Sequence, residues 1–202
     1  RYGVDPVRYW LLREVPPFGD TDYTQEKLER RYNADLANDL GNLLNRAVSM
    51  IHRYRGGVVP PSGEPAPADR PLRDVAAGLR ERIRAAIERD LDPQTALTAI
   101  WDLVSAANRY VEETAPWTLA RAQRASDPAA ARRLDAVLFT LAESLRIIAE
   151  SLRPFLPDTA ERIATQLGTA LSDNWLIALE WGETMVGRSV AKPEPIFPRL
   201  LE

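Results

Sequence analysis

Cysteine is missing from this sequence and histidine occurs once, as His52. Those two facts exclude disulfides, thiol nucleophiles, thiolate metal sites and any metal centre built on several histidines. Lysine is nearly as scarce, for all but Lys27 and Lys192 of the 26 basic residues are arginine. No apolar run approaches the roughly 18 residues of a membrane span, and no signal-peptide pattern occupies the start. A glycine-rich phosphate loop of either common type is also lacking. Nowhere does an apolar/polar alternation persist at period two, so strands are not expected.

What remains is a helical composition. Of 202 residues, 45% are apolar and 27% charged, enough to fill one core and to cover it. The net charge of −3 has the wrong sign for a bulk nucleic-acid footprint. Arginine, however, reads planar polar edges and stacks, where lysine acts mostly as a point charge. A GC-rich genome produces the same bias, so composition alone does not choose a partner.

Punctuation divides the chain into helices. Asp5–Pro6 is an N-cap followed by proline at the first helical position, predicting a helix over 6–15 with Val7, Trp10 and Leu11 on one side. The run 16–20 breaks it, and Thr24 caps a long pattern ending at Gly56–Gly57. Leu28, Tyr32, Leu36, Leu40, Leu43, Leu44, Ala47, Ile51 and Tyr54 recur at steps of three and four, with a bend expected near Asn33 or Gly41. Residues 60–71, rich in Pro, Gly and Ala, read as a loop. Helices are then predicted over 72–91, after the cap Asp92–Pro93, after the cap Asp127–Pro128, and over 157–167 with a stop at Gly168. The tail beyond Trp181 is Gly- and Pro-punctuated and is expected across the bundle surface. The fold class is therefore all-α, a helical bundle with a short N-terminal connector helix and an irregular C-terminal tail. Residues 1–23 are taken as the connector and 24–202 as the bundle.

The face opposite the leucines carries the most information. At 100° per residue, Arg46 lies about 40° and Arg53 about 20° from Asn42, so the three share one stripe. Asn38, Asn45 and Ser49 lie beside it. Asparagine costs roughly 0.6 kcal/mol against alanine in a helix, a poor choice for mere solubility. Amides and guanidiniums present paired donors and acceptors to base edges or to peptide groups. The same asparagines could instead cap bends or bridge to neighbouring helices. In Asn108-Arg109-Tyr110-Val111-Glu112-Glu113-Thr114-Ala115-Pro116-Trp117, Pro116 should end one helix or begin another. Trp117 at that junction either projects as a stacking platform or folds back into the core. Glu112 and Glu113 point in different directions and read as a solvated or salt-bridged rim. His52 reads as a surface residue or a tyrosine neighbour, and Arg55 as a source of salt-dependent attraction. Asp20 and Asp22 are too little to argue for a cation.

Several of these segments resemble one family. Tyr2-Gly3-Val4-Asp5-Pro6-Val7-Arg8-Tyr9-Trp10-Leu11-Leu12-Arg13-Glu14 is similar to the stretch that follows the catalytic domain in bacterial methionyl-tRNA synthetases. Arg31-Tyr32-Asn33-Ala34-Asp35-Leu36-Ala37-Asn38-Asp39-Leu40-Gly41-Asn42-Leu43-Leu44-Asn45-Arg46 resembles the start of that family's anticodon-binding bundle. Asn108-Arg109-Tyr110 with Ala115-Pro116-Trp117, and the closing Lys192-Pro193-Glu194-Pro195-Ile196-Phe197-Pro198-Arg199, resemble its later signatures.

The resemblance implies a cytoplasmic class I ligase that charges methionine tRNA using ATP and Mg²⁺, its bundle identifying the CAU anticodon chiefly by the first base. By motif position, Asn42 and Arg46 match residues that hydrogen-bond anticodon bases, Arg53 matches a further contact, and Trp117 matches the platform for the first base. The family's catalytic elements, His-x-Gly-His and Lys-Met-Ser-Lys-Ser, cannot exist here, and a cysteine zinc knuckle is excluded. The expectation is therefore an anticodon-binding module with no catalytic residue, no metal and no cofactor of its own. Its partners would be the methionine tRNA anticodon loop and a catalytic domain beyond this sequence, with no membrane. A helical protein-interaction module, or the corresponding domain of a valine, leucine, isoleucine or cysteine synthetase, is the alternative reading.

Overall fold

The structure, a computed structural model, describes residues 2–16 and 19–200. Pro17 and Phe18 of the expected break, and the terminal residues 1, 201 and 202, lie outside that range. Among the described residues the architecture is helical throughout, with a single isolated antiparallel bridge between Val58 and Ser189. The helices are α1 (Val4–Glu14), α2 (Gln25–Arg31), α3 (Asn42–Arg55), α4 (Arg70–Arg84), α5 (Pro93–Thr114), α6 (Pro116–Arg124), α7 (Pro128–Leu152), α8 (Pro157–Gln166) and α9 (Trp175–Ala178). A widened, π-type turn over Tyr32–Gly41 joins α2 to α3, and another, Ala85–Arg89, extends α4.

Capping explains most of the boundaries. Thr24 accepts from Lys27 N, Asp92 from Thr95 N, and Asp127 from Ala129 N and Ala130 N, each satisfying an orphan donor of a first turn. Gly56 closes α3 in the left-handed region at φ 61°. Asp5 departs from its expected role. Gly3 precedes α1, and the Asp5 carboxylate lies inside the first turn, buried, where it accepts from Thr159 N at 2.6 Å and Thr159 Oγ1 at 2.7 Å. It thus caps α8 from a distance of 154 residues in the chain. The inward side of α1 is correspondingly Tyr9 and Trp10, while Val7 and Leu11 are exposed. The loop after α3 is also shorter than its composition suggests. Pro67–Asp69 forms a 3₁₀ turn, and α4 begins at Arg70 and gives way to the wide turn at Ala85. Proline at the second helical position of α4 lacks only a donor that would be orphaned anyway.

The long pattern toward Gly56 bends where expected, by wider winding rather than by a kink. Asn42 N bonds to Ala37 O, five residues back. Gly41 lies against Ile196 and Phe197 of the tail, where a Cβ would meet both near 3.8–3.9 Å and the Leu36 carbonyl at 3.0 Å. Leu28, Tyr32, Leu36, Leu40, Leu43, Leu44, Ala47 and Ile51 are all buried, as the stripe predicts.

α7 is the central post, buried at every position over 136–152. Several of its buried polar groups are satisfied where they lie, while Glu143 Oε2 and Glu150 Oε2 find no hydrogen-bond partner among the described residues. Ser144 donates to Thr140 O and Ser151 to Ile147 O, while Arg146 pairs with Glu143 at 2.6 Å. That pair holds the tail, because Arg146 donates to Glu180 O and Glu143 accepts from Gly182 N. The tail then crosses over Gly168 at φ 68°, where a Cβ would collide with the Ser189 carbonyl oxygen. His52 joins the same strap through Nε2 to Ala191 O at 2.8 Å, so it is a half-buried link rather than a surface group.

Helices α5 and α7 and the 3₁₀ turn are pinned together by one buried cluster. Asp69 accepts from Tyr110 at 2.6 Å and, two-pronged, from Arg133 at 2.6 and 2.9 Å. Burial alone would raise the Asp69 carboxyl, but hydrogen bonds from Arg133, Tyr110 and Ala66 N hold it below the usual carboxylate range. A depressed folded-state pKa contributes stability above the unfolded value, and that contribution is lost as pH falls through the folded one. Asp69→Asn should therefore destabilise the protein by about 3 kcal/mol at neutral pH. The gap from wild type should close as pH falls from about 5 through the Asp69 titration, read by urea melts across pH.

Candidate nucleic-acid interface

With the leucine stripe committed to the core, the opposite side of α3 has to face outward. Asn42 and Arg53 are exposed and Arg46 is half-buried. The four asparagines of the segment divide by role. Asn33 exchanges two hydrogen bonds with the Leu200 backbone, and Asn38 Oδ1 accepts from Arg199 at 2.7 and 3.0 Å. Those two hold the tail, as in the bridging reading, and the wide turn that carries them shifts Asn38 away from the ideal wheel. Asn42 and Asn45 have no side-chain hydrogen-bond partner among the described residues.

The second half of the surface comes from the junction of α5 and α6. Thr114 ends α5, Ala115 adopts φ 42°, and Pro116 starts α6 immediately. Proline's lack of an N–H is harmless there, while its ring forbids α5 from running on. The chain turns so abruptly that Trp117 stands clear of the core, 41% exposed, beside the buried Pro116. Of the five tryptophans it is the one on the surface.

Arg46 connects the two halves. Its Nη2 pairs with Glu112 Oε1 at 2.6 Å, and its guanidinium carbon lies 5.9 Å from the centre of the Trp117 ring. The carboxylate and the ring together hold a flexible side chain in one place. Glu113 is turned away and meets Arg109 at 4.0 Å, so the two glutamates form a salt-bridged rim. Asn108 and Tyr110 serve structure instead. Asn108 donates to Asp39 O and Val104 O, and Tyr110 belongs to the Asp69 cluster.

Two concavities flank this arrangement. One, of about 310 Å³, lies between Asn38, Asn42, Asn45, Phe197 and Arg199. The other, of about 170 Å³, lies between Arg53, Tyr54, Trp117, Arg121 and Arg124. The structure therefore brings Asn42, Arg46, Arg53 and Trp117 onto one surface. It adds Arg121 and Arg124, which were missed although they follow Trp117 by four and seven residues, a spacing that reads as one helical face. Arg199 carried no local signal at all, since only the fold of the tail brings it to Asn38. Among the described residues, no group of three or more His, Asp or Glu side chains is placed to hold a metal ion, and no helix is long and apolar enough to cross a membrane.

Comparison with known families places the chain in the class of tRNA synthetases. Residues 1–48 match the family described as class I (M) tRNA synthetases, and residues 59–202 match the anticodon binding domain of methionyl tRNA ligase. The chain belongs to the family of methionyl-tRNA ligase anticodon-binding domains. It is 43% identical to the methionine–tRNA ligase of Clostridium acetobutylicum over 199 residues, covering 98% of this chain and 30% of that protein. With the Bacillus subtilis enzyme the identity is 44% over 206 residues, again 30% of the relative. The apo methionyl-tRNA synthetase of Mycobacterium tuberculosis superposes with a TM-score of 0.92 at 37% identity, covering 100% of this chain and 40% of that one. The same enzyme bound by methionyl-adenylate gives 0.90 at 38% identity, covering 98% and 38%. The chain thus spans about a third of the length of the relatives it matches.

One expectation is corrected outright. Arg55 is no free cation: it pairs with Asp135 and donates to Tyr54 O, Gln123 Oε1 and Ala131 O, pinning α3 to α6 and α7. Arg55→Gln should lower stability by about 1–3 kcal/mol in thermal or urea melts. Below the melting range it should leave the salt dependence of RNA binding as in wild type.

Proposed function

We propose that this chain reads the CAU anticodon of methionine tRNA as the recognition part of a methionine–tRNA ligase. The observation that carries the reading is the exposed Trp117 indole with the Arg46 guanidinium held across it and the unpartnered Asn42 amide on the same surface. A base pulled out of its stack loses aromatic contact and hydrogen bonds, and a site that replaces both favours that base. An indole face supplies about 1–3 kcal/mol of stacking to any base. Selectivity has to come from the edge. Cytosine presents one amino donor and two acceptors, and an amide that both donates and accepts next to a guanidinium that only donates can match that set. Arg53 extends the same stripe as a further contact.

Arg46 reaches this state from a pairing with Glu112, so the loop has to offer acceptors good enough to share or displace a carboxylate. A base edge lacking them leaves a desolvated guanidinium underpaired, which is how a site rejects as well as selects. Residues 1–23, with α1 packed on α5 and α8, would act as the connector to a catalytic domain. ATP-dependent charging of the tRNA, with its metal ion, would belong to that domain. The sequence here has no phosphate loop and supplies no residue for the step.

Tryptophan fluorescence tests the reading directly, because Trp117 is the exposed indole. A CAU stem-loop should quench it, and a loop altered at the first base should do so only at much higher concentration. Trp117→Ala should lose about 1–3 kcal/mol of binding with helical content intact. Arg46→Gln should narrow the difference between the CAU loop and its first-base variant. Equal affinity of the wild-type chain for both loops would end the reading of the first base, and no binding of either loop would favour a protein-interaction surface.

A further inference from the structure

The cavity below Trp117 is lined by three arginines. Several arginines elsewhere are matched: Arg31, Arg46, Arg55, Arg80, Arg133 and Arg146 each meet a carboxylate within 4.0 Å. Arg53, Arg121 and Arg124 meet none among the described residues, and all three are exposed. They nevertheless converge on one recess of about 170 Å³. Arg121 and Arg124 come from the last turn of α6 on the face of Trp117, and Arg53 comes from α3 with its guanidinium 5.8 Å from the Tyr54 ring centre. Three like charges gathered on a chain of net charge −3 repel one another and call for a counter-charge. Tyr54 and Trp117 wall the recess with aromatic surface, which suits the sugar side of a nucleotide. The volume is well under the roughly 300 Å³ at which pockets for larger organic ligands begin.

We propose that this recess seats a backbone phosphate of the RNA strand adjacent to the base stacked on Trp117, with Arg121 and Arg124 as its ligands from α6 and Arg53 closing it from α3. The inference rests on the anticodon reading, since it is the stacked base that brings the strand to this place. Its physical role differs from that of Arg46 and Asn42. Guanidiniums on phosphate fix where the strand lies and carry no sequence information, whereas the edge contacts discriminate. Trp117 forms a wall of the recess and also lies beneath Arg46, so a strand anchored here is delivered to the reading groups in register. The competing role for Arg121 and Arg124 is local: cations in a last turn complement the helix dipole.

Salt dependence separates the two roles. Each phosphate contact on a single strand contributes about 0.7 to the slope of log K against log salt. Binding of a labelled CAU stem-loop and of its first-base variant would be measured by anisotropy at several salt concentrations. The proteins would be the wild-type chain, the double variant Arg121→Gln/Arg124→Gln, the charge-keeping double variant Arg121→Lys/Arg124→Lys, and Arg70→Gln on the far helix α4 as control. We expect the Gln pair to reduce the slope by about 0.7, to weaken both loops by the same factor, and to leave the ratio between them unchanged. The Lys pair should restore most of the slope, and the control should match wild type. A wild-type slope in the Gln pair, with only a lowered melting temperature, would overturn the phosphate seat in favour of the dipole role. So would a collapse of the ratio between the two loops. If wild type fails to distinguish the loops while the Gln pair still loses its slope, the phosphate seat stands and the reading of the first base falls.

Discussion

Everything at the candidate interface depends on the burial of one face of α3. Leu43, Leu44, Ala47 and Ile51 are 0–1% exposed, and each of the leucines and the isoleucine contributes about 1.5–3 kcal/mol by leaving water. That burial fixes the rotation of the helix about its axis. A rigid helix has no further freedom, so the direction of Asn42, Arg46 and Arg53 follows from where the leucines went. Positioning polar groups through the opposite, apolar face is economical, because no hydrogen bond of the ridge itself has to be used to aim it. Among the described residues Asn42 and Arg53 remain without hydrogen-bond or ion-pair partners for that reason.

The platform is placed by a different device. An abrupt α5–α6 turn needs a residue in the left-handed region at Ala115 and a proline that ends one helix and begins the next. The backbone strain of a non-glycine residue at φ 42° is sustained by packing on both sides, with Val111 and Pro116 buried. The result is an aromatic ring that cannot retreat into the core, because α6 is already packed on α7. Arg46 then binds the two devices together, by a charge contact to α5 and a cation–π contact to α6.

The tail is the third constraint. It is held by buried charge at Glu143 and Arg146, by Gly168 whose missing side chain lets it pass, and by Asn33 and Asn38. It closes one edge of the polar face with Phe197 and Arg199. Asn38, which a helical wheel sets beside the recognition stripe, therefore serves instead as a clasp for a distant segment.

The helices, their caps at Thr24, Asp92 and Asp127, the stop at Gly56 and the inward leucines were legible from the sequence, because each rests on contacts within a few residues. The stripe of Asn42, Arg46 and Arg53 was legible for the same reason, as angular position along a helix is a local property. Asp5 shows where that reasoning stops: a carboxylate before a proline has the pattern of a cap, yet its donors lie on α8. Arg55 likewise looks like a free cation until α6 and α7 surround it, and Arg121 and Arg124 gain meaning only when Arg53 is brought opposite them. The chain alone determined which residues are helical, which side of each helix avoids water and which residue types are available to meet a base. Tertiary structure alone decided which of the polar groups are consumed by partners far along the chain and which stay open, because a hydrogen bond or ion pair between distant segments leaves no trace in the spacing of either.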